Sequence, residues 1–100
     1  MQACLEHAAP FGIRHEGEFR LRSMTTRWGS CTRAGTLTFN PRLVQAPREC
    51  IDYVLLHELC HTKEFGHSRG YYALLSRVQP DWKSRRARLN RLVELPGSLL

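Results

Sequence analysis

The segment His57-Glu58-Leu59-Cys60-His61 sets two imidazoles four positions apart, with a carboxylate beside the first. Four residues of α-helix turn through roughly 400° and rise about 6 Å, so both rings stand on one face within reach of a single ion. Neutral imidazole is a usual ligand of catalytic zinc, which takes three protein ligands and keeps a fourth position for water. Glu58 is then placed to hold and deprotonate that water as general base without binding the metal. His67 follows His61 by six residues and comes just after Gly66, where a chain leaving the helix can return a third imidazole to the same ion. His57, His61 and His67 are therefore the expected ligands of a Zn2+ ion. Glu64 shares nearly the same helical face as His57 but lies seven residues along, and is read as a surface or supporting carboxylate.

These residues need a long helix to carry them. Ile51, Val54, Leu55 and Leu59, with Cys50 and Leu56 nearby, recur at three- and four-residue steps. Pro47 suits the first helical position, and Gly66 suits a left-handed turn after Phe65, so the helix is predicted over 47–65. Ser68 is positioned to cap a second helix running through Gln79 and burying Tyr71, Leu74, Leu75 and Val78. Pro80 ends it, and a third helix is predicted from Asp81 to about Glu94, burying Trp82, Leu89, Leu92 and Val93 and exposing Arg85, Arg88 and Arg91. Upstream, Glu18 to Met24 alternates, with Phe19 and Leu21 on one face and Arg20 and Arg22 on the other, which reads as a half-buried strand. Arg27–Thr32 and Thr36–Asn40 flank the turn Arg33-Ala34-Gly35 as a hairpin. A three-stranded antiparallel sheet is expected, with a short helix over residues 2–9 before it.

The bulk properties bound the rest. One hundred residues suit a single domain over 1–100, and 42% hydrophobic with 24% charged residues excludes wholesale disorder. No apolar run approaches the roughly 20 residues that span a bilayer, and the start lacks the basic-then-apolar order of a secretory signal, so a cytoplasmic protein without membrane partners is expected. Thirteen arginines among fifteen basic residues, and a net charge of +6, suit anionic partners as well as a solvated surface. Cys4, Cys31, Cys50 and Cys60 form no C-x-x-C pair and are read as reduced. Cys31 and Cys60 read as small buried hydrophobes, Glu49 and Asp52 as charges favoured near a helix N-terminus, and Tyr71 and Tyr72 as packing residues.

Metzincins also carry a third histidine six residues after the second, but they need Gly three residues after it and a downstream Met-turn. Here that position is Glu64, and both methionines, Met1 and Met24, lie upstream. A closer resemblance runs in order through Arg27-Trp28-Gly29-Ser30-Cys31, Leu37 to Leu43 with Asn40 and Arg42, Ala46-Pro47, Ile51-Asp52-Tyr53-Val54, His57 to His61, His67-Ser68, Tyr71-Tyr72 and Pro80-Asp81-Trp82. This pattern resembles the YgjP-like metallopeptidase family, zincin-like hydrolases related to SprT-type proteases, and covers most of residues 20 to 90. The resemblance implies a zinc site at His57, His61 and His67, with Glu58 as base. Family members are commonly longer at the N-terminus, so the chain reads as a short member or a piece truncated there. Tyr71 and Tyr72 depart from the family's usual Phe then Trp.

The expected architecture is thus a small α+β zincin-like domain: a three-stranded antiparallel sheet packed on the metal helix, then two further helices. The expected function is zinc-dependent hydrolysis of peptide bonds in a peptide or protein substrate. Two other readings stand beside it. Arg27, Arg33 and Arg42 near the site could hold phosphates, making the domain a phosphoanhydride hydrolase acting on nucleotides. Alternatively the zinc is structural in a non-enzymatic nucleic-acid-binding module. Separately, Arg85, Arg88 and Arg91 are read as a stripe that could track a phosphate backbone and bring the zinc helix to protein substrates on nucleic acid. Gly29 would let a substrate backbone come close, or would serve a glycine bulge beside a core Trp28.

Overall fold

The computed structural model describes residues 2–15, 17–25 and 27–92. Helix α1 (Gln2–Ala8) leads through a 3-10 turn (Ala9–Phe11) to three short strands, β1 (Phe19–Leu21), β2 (Gly29–Cys31) and β3 (Leu37–Phe39). A second 3-10 turn (Pro41–Gln45) precedes α2 (Arg48–Cys60), α3 (Arg69–Val78) and α4 (Trp82–Leu92). The expected turn of α4 over Val93 and Glu94, and the burial assigned to Leu92 and Val93, lie outside what is described.

The sheet is mixed, not purely antiparallel. Its order is β1-β3-β2, with β1 parallel to β3 (Phe19 opposite Leu37) and β2 antiparallel to it (Gly29 opposite Phe39). A simple meander would have set β1 beside β2. Instead the chain after β1 crosses the end of β3, and a buried side chain holds that crossing in place. Asn40 Nδ2 donates to the carbonyls of Met24 (2.8 Å) and Arg27 (3.1 Å), while its Oδ1 accepts from Arg42 N and caps the turn that follows. The middle strand therefore buries Leu37 and Phe39, and β1 is left as an edge. Its expected half-burial is corrected: Phe19 is 45% and Leu21 65% exposed, with only the Phe19 ring leaning on Phe39 at 5.3 Å.

Helix α2 is the centre of the molecule, packed against α1, α3, α4 and β2. Because it is covered on most sides, Cys50, Tyr53, Val54, Leu56, Leu59 and Cys60 are all buried, whereas Ile51 and Leu55 are only half-buried. Pro47 stands just before the helix in an extended conformation, its carbonyl accepting from Cys50 and Ile51. At the other end the α-helix stops at Cys60, five residues short of expectation. The ladder tightens to three-residue bonds, His61 N to Glu58 O, Thr62 N to Leu59 O and Lys63 N to Cys60 O, before Gly66 turns the chain with a φ of 97°. Ser68 caps α3 as expected, its hydroxyl accepting from Tyr71 N, and Tyr71, Leu74, Leu75 and Val78 are buried. On α4, Trp82 and Leu89 are buried; each such side chain contributes about 1.5–3 kcal/mol on leaving water.

Candidate metal centre

The tightening at the end of α2 builds the site. His57 and Glu58 lie in its last helical turn and His61 is the residue just beyond it, while the turn at Gly66 returns His67 to the same place. His67 Nε2 lies 3.2 Å from His61 Nε2 and 3.4 Å from His57 Nε2, and one ligand atom from each ring falls within 4.8 Å of the others. Ligands about 2.0–2.1 Å from a tetrahedral ion would be about 3.3 Å apart, which these two separations match. His57 and His61 are buried and His67 is exposed, so the cluster opens on one side.

The ring nitrogens turned away from the cluster decide what those facing it can do. His61 Nδ1 is 3.1 Å from the carbonyl of Glu64, a group that only accepts, so Nδ1 carries the proton and a neutral ring presents a bare lone pair at Nε2. Burial, followed by the like charges of His61 and His67, pushes the His57 imidazole down to about 3, and burial also lowers His61. Both rings are therefore neutral at neutral pH, the form a metal requires. Glu64, weighed from sequence as a carboxylate, takes part through its backbone carbonyl; its side chain lies toward Gly70.

Two tyrosines fix the rings. Because His61 N bonds back to Glu58, the carbonyl of His57 is one of the orphan acceptors a helix end leaves, and Tyr71 donates its hydroxyl to it at 2.8 Å. The Tyr71 ring also stacks on His61, with centroids 4.1 Å apart and planes 14° from parallel. Tyr71 is thus wholly buried, as a packing residue would be, but its hydroxyl also holds the helix end that carries His57. Tyr53 was not singled out as a site residue; its hydroxyl lies 3.4 Å from His57 Nδ1. The signal was present, since Tyr53 precedes His57 by four residues on one helical face. Asn40 was likewise missed as an organising residue, although Asn-Pro is a familiar start for a helical turn.

Glu58 is 2% exposed, and among the described residues its carboxylate accepts no hydrogen bond. Burial pushes it up to about 8, with the Arg27 charge pulling the other way. A Cβ on Gly29 would lie 3.1 Å from both Glu58 Cγ and a Phe39 ring carbon, so the missing side chain makes room for Glu58 and Phe39 rather than for a substrate backbone. Trp28 beside it is fully buried, as a core anchor. Burial pushes Cys31 up to about 11, helped by Glu58, and Cys60 up to about 12, so both thiols stay protonated at neutral pH; Cys60 is buried as expected, whereas Cys31, at the end of β2, is only half-buried.

The arginines divide. Arg33 sits over the Phe65 ring beside the cluster, and Arg42 is exposed on the turn after Asn40. In the α4 stripe, Arg85 pairs with Asp81 and donates to the carbonyl of Glu49, and Arg88 pairs with the Glu49 carboxylate. Two of the three stripe residues are thereby engaged within the domain, which gives the nucleic-acid reading no support. No helix among the described residues is long and apolar enough to cross a membrane.

A mixed sheet on a central helix, with three imidazoles converging where that helix ends, defines a small α+β domain of the zincin-like metallopeptidase class. The chain belongs to the YgjP-like metallopeptidase family, whose domain it matches over residues 1–92. It is similar in structure to the metallopeptidase zymogen of Pyrococcus abyssi abylysin, with a TM-score of 0.76 and 26% identity over 91% of this chain and 93% of that one. The metallopeptidase zymogen of Methanocaldococcus jannaschii jannalysin shares the fold, with a TM-score of 0.71 and 19% identity over 92% and 96% of the two chains. In sequence the chain is 32% identical over 93 residues to Protein SprT-like of Streptococcus pyogenes serotype M1. That match takes in 90% of this chain but only 61% of the relative's length.

Proposed function

We propose that the domain is a zinc-dependent peptidase in which His57, His61 and His67 hold the metal and Glu58 is the general base. The observation that carries this reading is the convergence of the three imidazoles, with the His61 proton committed to a carbonyl so that its lone pair faces the cluster. Neutral nitrogen donors, no thiolate and no carboxylate among them, suit zinc. Among the described residues the cluster has three donors and no fourth, which favours a catalytic over a purely structural ion.

A zinc ion bound there supplies Lewis acidity toward a carbonyl oxygen and toward water. The protein's residues supply the rest. Tyr71 and the Glu64 carbonyl hold the His57 backbone and the His61 ring, so the donor set is arranged before any substrate arrives. Burial makes Glu58 a stronger base than a solvated carboxylate, and a zinc ion held beside it would favour its ionised form. Glu58 takes a proton from the attacking water as the new C–O bond forms, then gives it to the amide nitrogen as the C–N bond breaks. Glu58→Gln keeps the shape and removes the base. The expected result is a protein that retains zinc by elemental analysis but has lost at least about a hundredfold in peptide turnover; undiminished turnover would refute the assignment.

A further inference from the structure

A cleft of about 380 Å³ opens beside His61, between the loop carrying Arg14 and His15, the hairpin turn Thr32–Gly35 and the segment Thr62–Phe65. Arg14, Arg33 and Lys63 line it, and among the described residues no carboxylate does. Its walls are tied together. His15 Nε2 contacts the carbonyl of Gly35 at 2.9 Å, and a side chain at Gly17 would collide with that same carbonyl, 2.5 Å from its Cβ. Lys63 Nζ donates to the carbonyl of Phe11 and passes 2.6 Å from where a Cβ on Gly12 would lie; the φ of 80° at Gly12 favours glycine there. The Arg33 guanidinium lies 4.5 Å above the Phe65 ring. These contacts restrict the Arg33 and Lys63 side chains at the cleft wall, which lowers the entropic cost of meeting an anion there.

We propose that this cleft is a specificity pocket for an acidic side chain of the polypeptide substrate, with Arg33 and Lys63 as its principal recognition residues. The proposal rests on the peptidase reading, which makes the anion one that a polypeptide carries. Its place in the fold sets the spacing. Gly29, at the start of β2, touches Glu58, and Thr32 and Arg33 directly follow the end of β2. Three residues of extended chain cover about 10 Å, so the acidic residue sits two or three positions from the bond that is cut. Solvent reaches the cleft, so each cation adds modestly and their sum sets a preference of about three- to tenfold for Glu over Gln.

The test uses the zinc-loaded Glu58→Gln protein and paired fluorescent peptides differing by one Glu/Gln exchange, read by anisotropy, with turnover of the same pairs measured separately on the zinc-loaded wild type. The Glu peptide is expected to bind three- to tenfold more tightly. Arg33→Gln and Lys63→Gln should each shrink that ratio, Arg33→Lys should restore most of it, and Arg91→Gln, an equal loss of charge at the end of α4, should not alter it. Equal binding of the two peptides, or a ratio indifferent to Arg33 and Lys63, overturns the pocket even if both peptides are cleaved. A pocket-dependent preference without cleavage of either peptide upholds the pocket and defeats the peptidase reading instead. A nucleoside triphosphate that binds through Arg33 and Lys63 where the peptides do not would overturn the polypeptide assignment.

Discussion

The corner between α2 and α3 and the three-stranded sheet are built by opposite means. In the corner nearly every important contact joins residues close in sequence: His57 to His61, His61 to the Glu64 carbonyl, Ser68 to Tyr71, and Tyr71 back to His57 only fourteen positions away. In the sheet, β1 finds its partner β3 eighteen positions on, past the strand that comes next in the chain, and the crossing is held by one side chain, Asn40. Local spacing thus makes the chemistry, while a single long-range polar residue secures the frame that presents it.

Losing a ring from the corner should have the largest effect. His67→Ala leaves two imidazoles and is expected to cut zinc affinity by more than about a hundredfold, since even the loss of a supporting partner costs 10–100-fold; a competition titration with a chromophoric chelator measures it. Next comes the sheet. Asn40→Ala removes three hydrogen bonds and leaves two carbonyls and an N–H short of partners, so urea denaturation should show a loss of about 2–4 kcal/mol. An effect below about 1 kcal/mol would show that β3 holds its central place without that residue. Tyr71→Phe keeps the stacking on His61 and removes only the bond to the His57 carbonyl. A loss of about 1–3 kcal/mol in stability and about tenfold in zinc affinity is expected, the second being what separates a positioning role from mere packing. Smallest of all, Leu21→Thr on the exposed edge strand should stay within about 0.5 kcal/mol. A larger loss would mean that β1 is covered by something beyond the described residues.

That division explains what could be read in the sequence. The metal helix, the capped helix after it and the three converging histidines were legible, because i,i+4 spacing and cap residues fix local geometry. So was the α+β class. The strand order was not: alternation in Phe19–Leu21 marks a strand but says nothing of which neighbour it takes, and its exposure followed from that order. The early end of α2 escaped because Gly66 signals where the chain turns, not where the α-ladder tightens, and that tightening begins at His61. Tyr71 read only as a packing residue, and Tyr53 drew no role, because their hydroxyl partners, a helix-end carbonyl and a histidine nitrogen, appear only once the helix end is built. The α4 stripe looked free because Glu49, which meets both Arg85 and Arg88, is far from them in sequence.

X-ray absorption at the zinc edge of the zinc-loaded wild-type domain bears most directly on the central claim. Three imidazole nitrogens and one lighter oxygen ligand at about 2.0–2.1 Å are predicted, with one zinc per chain. Sulfur scattering at about 2.3 Å, which would mean that a cysteine binds the ion, or fewer than three imidazoles around it, would contradict the account.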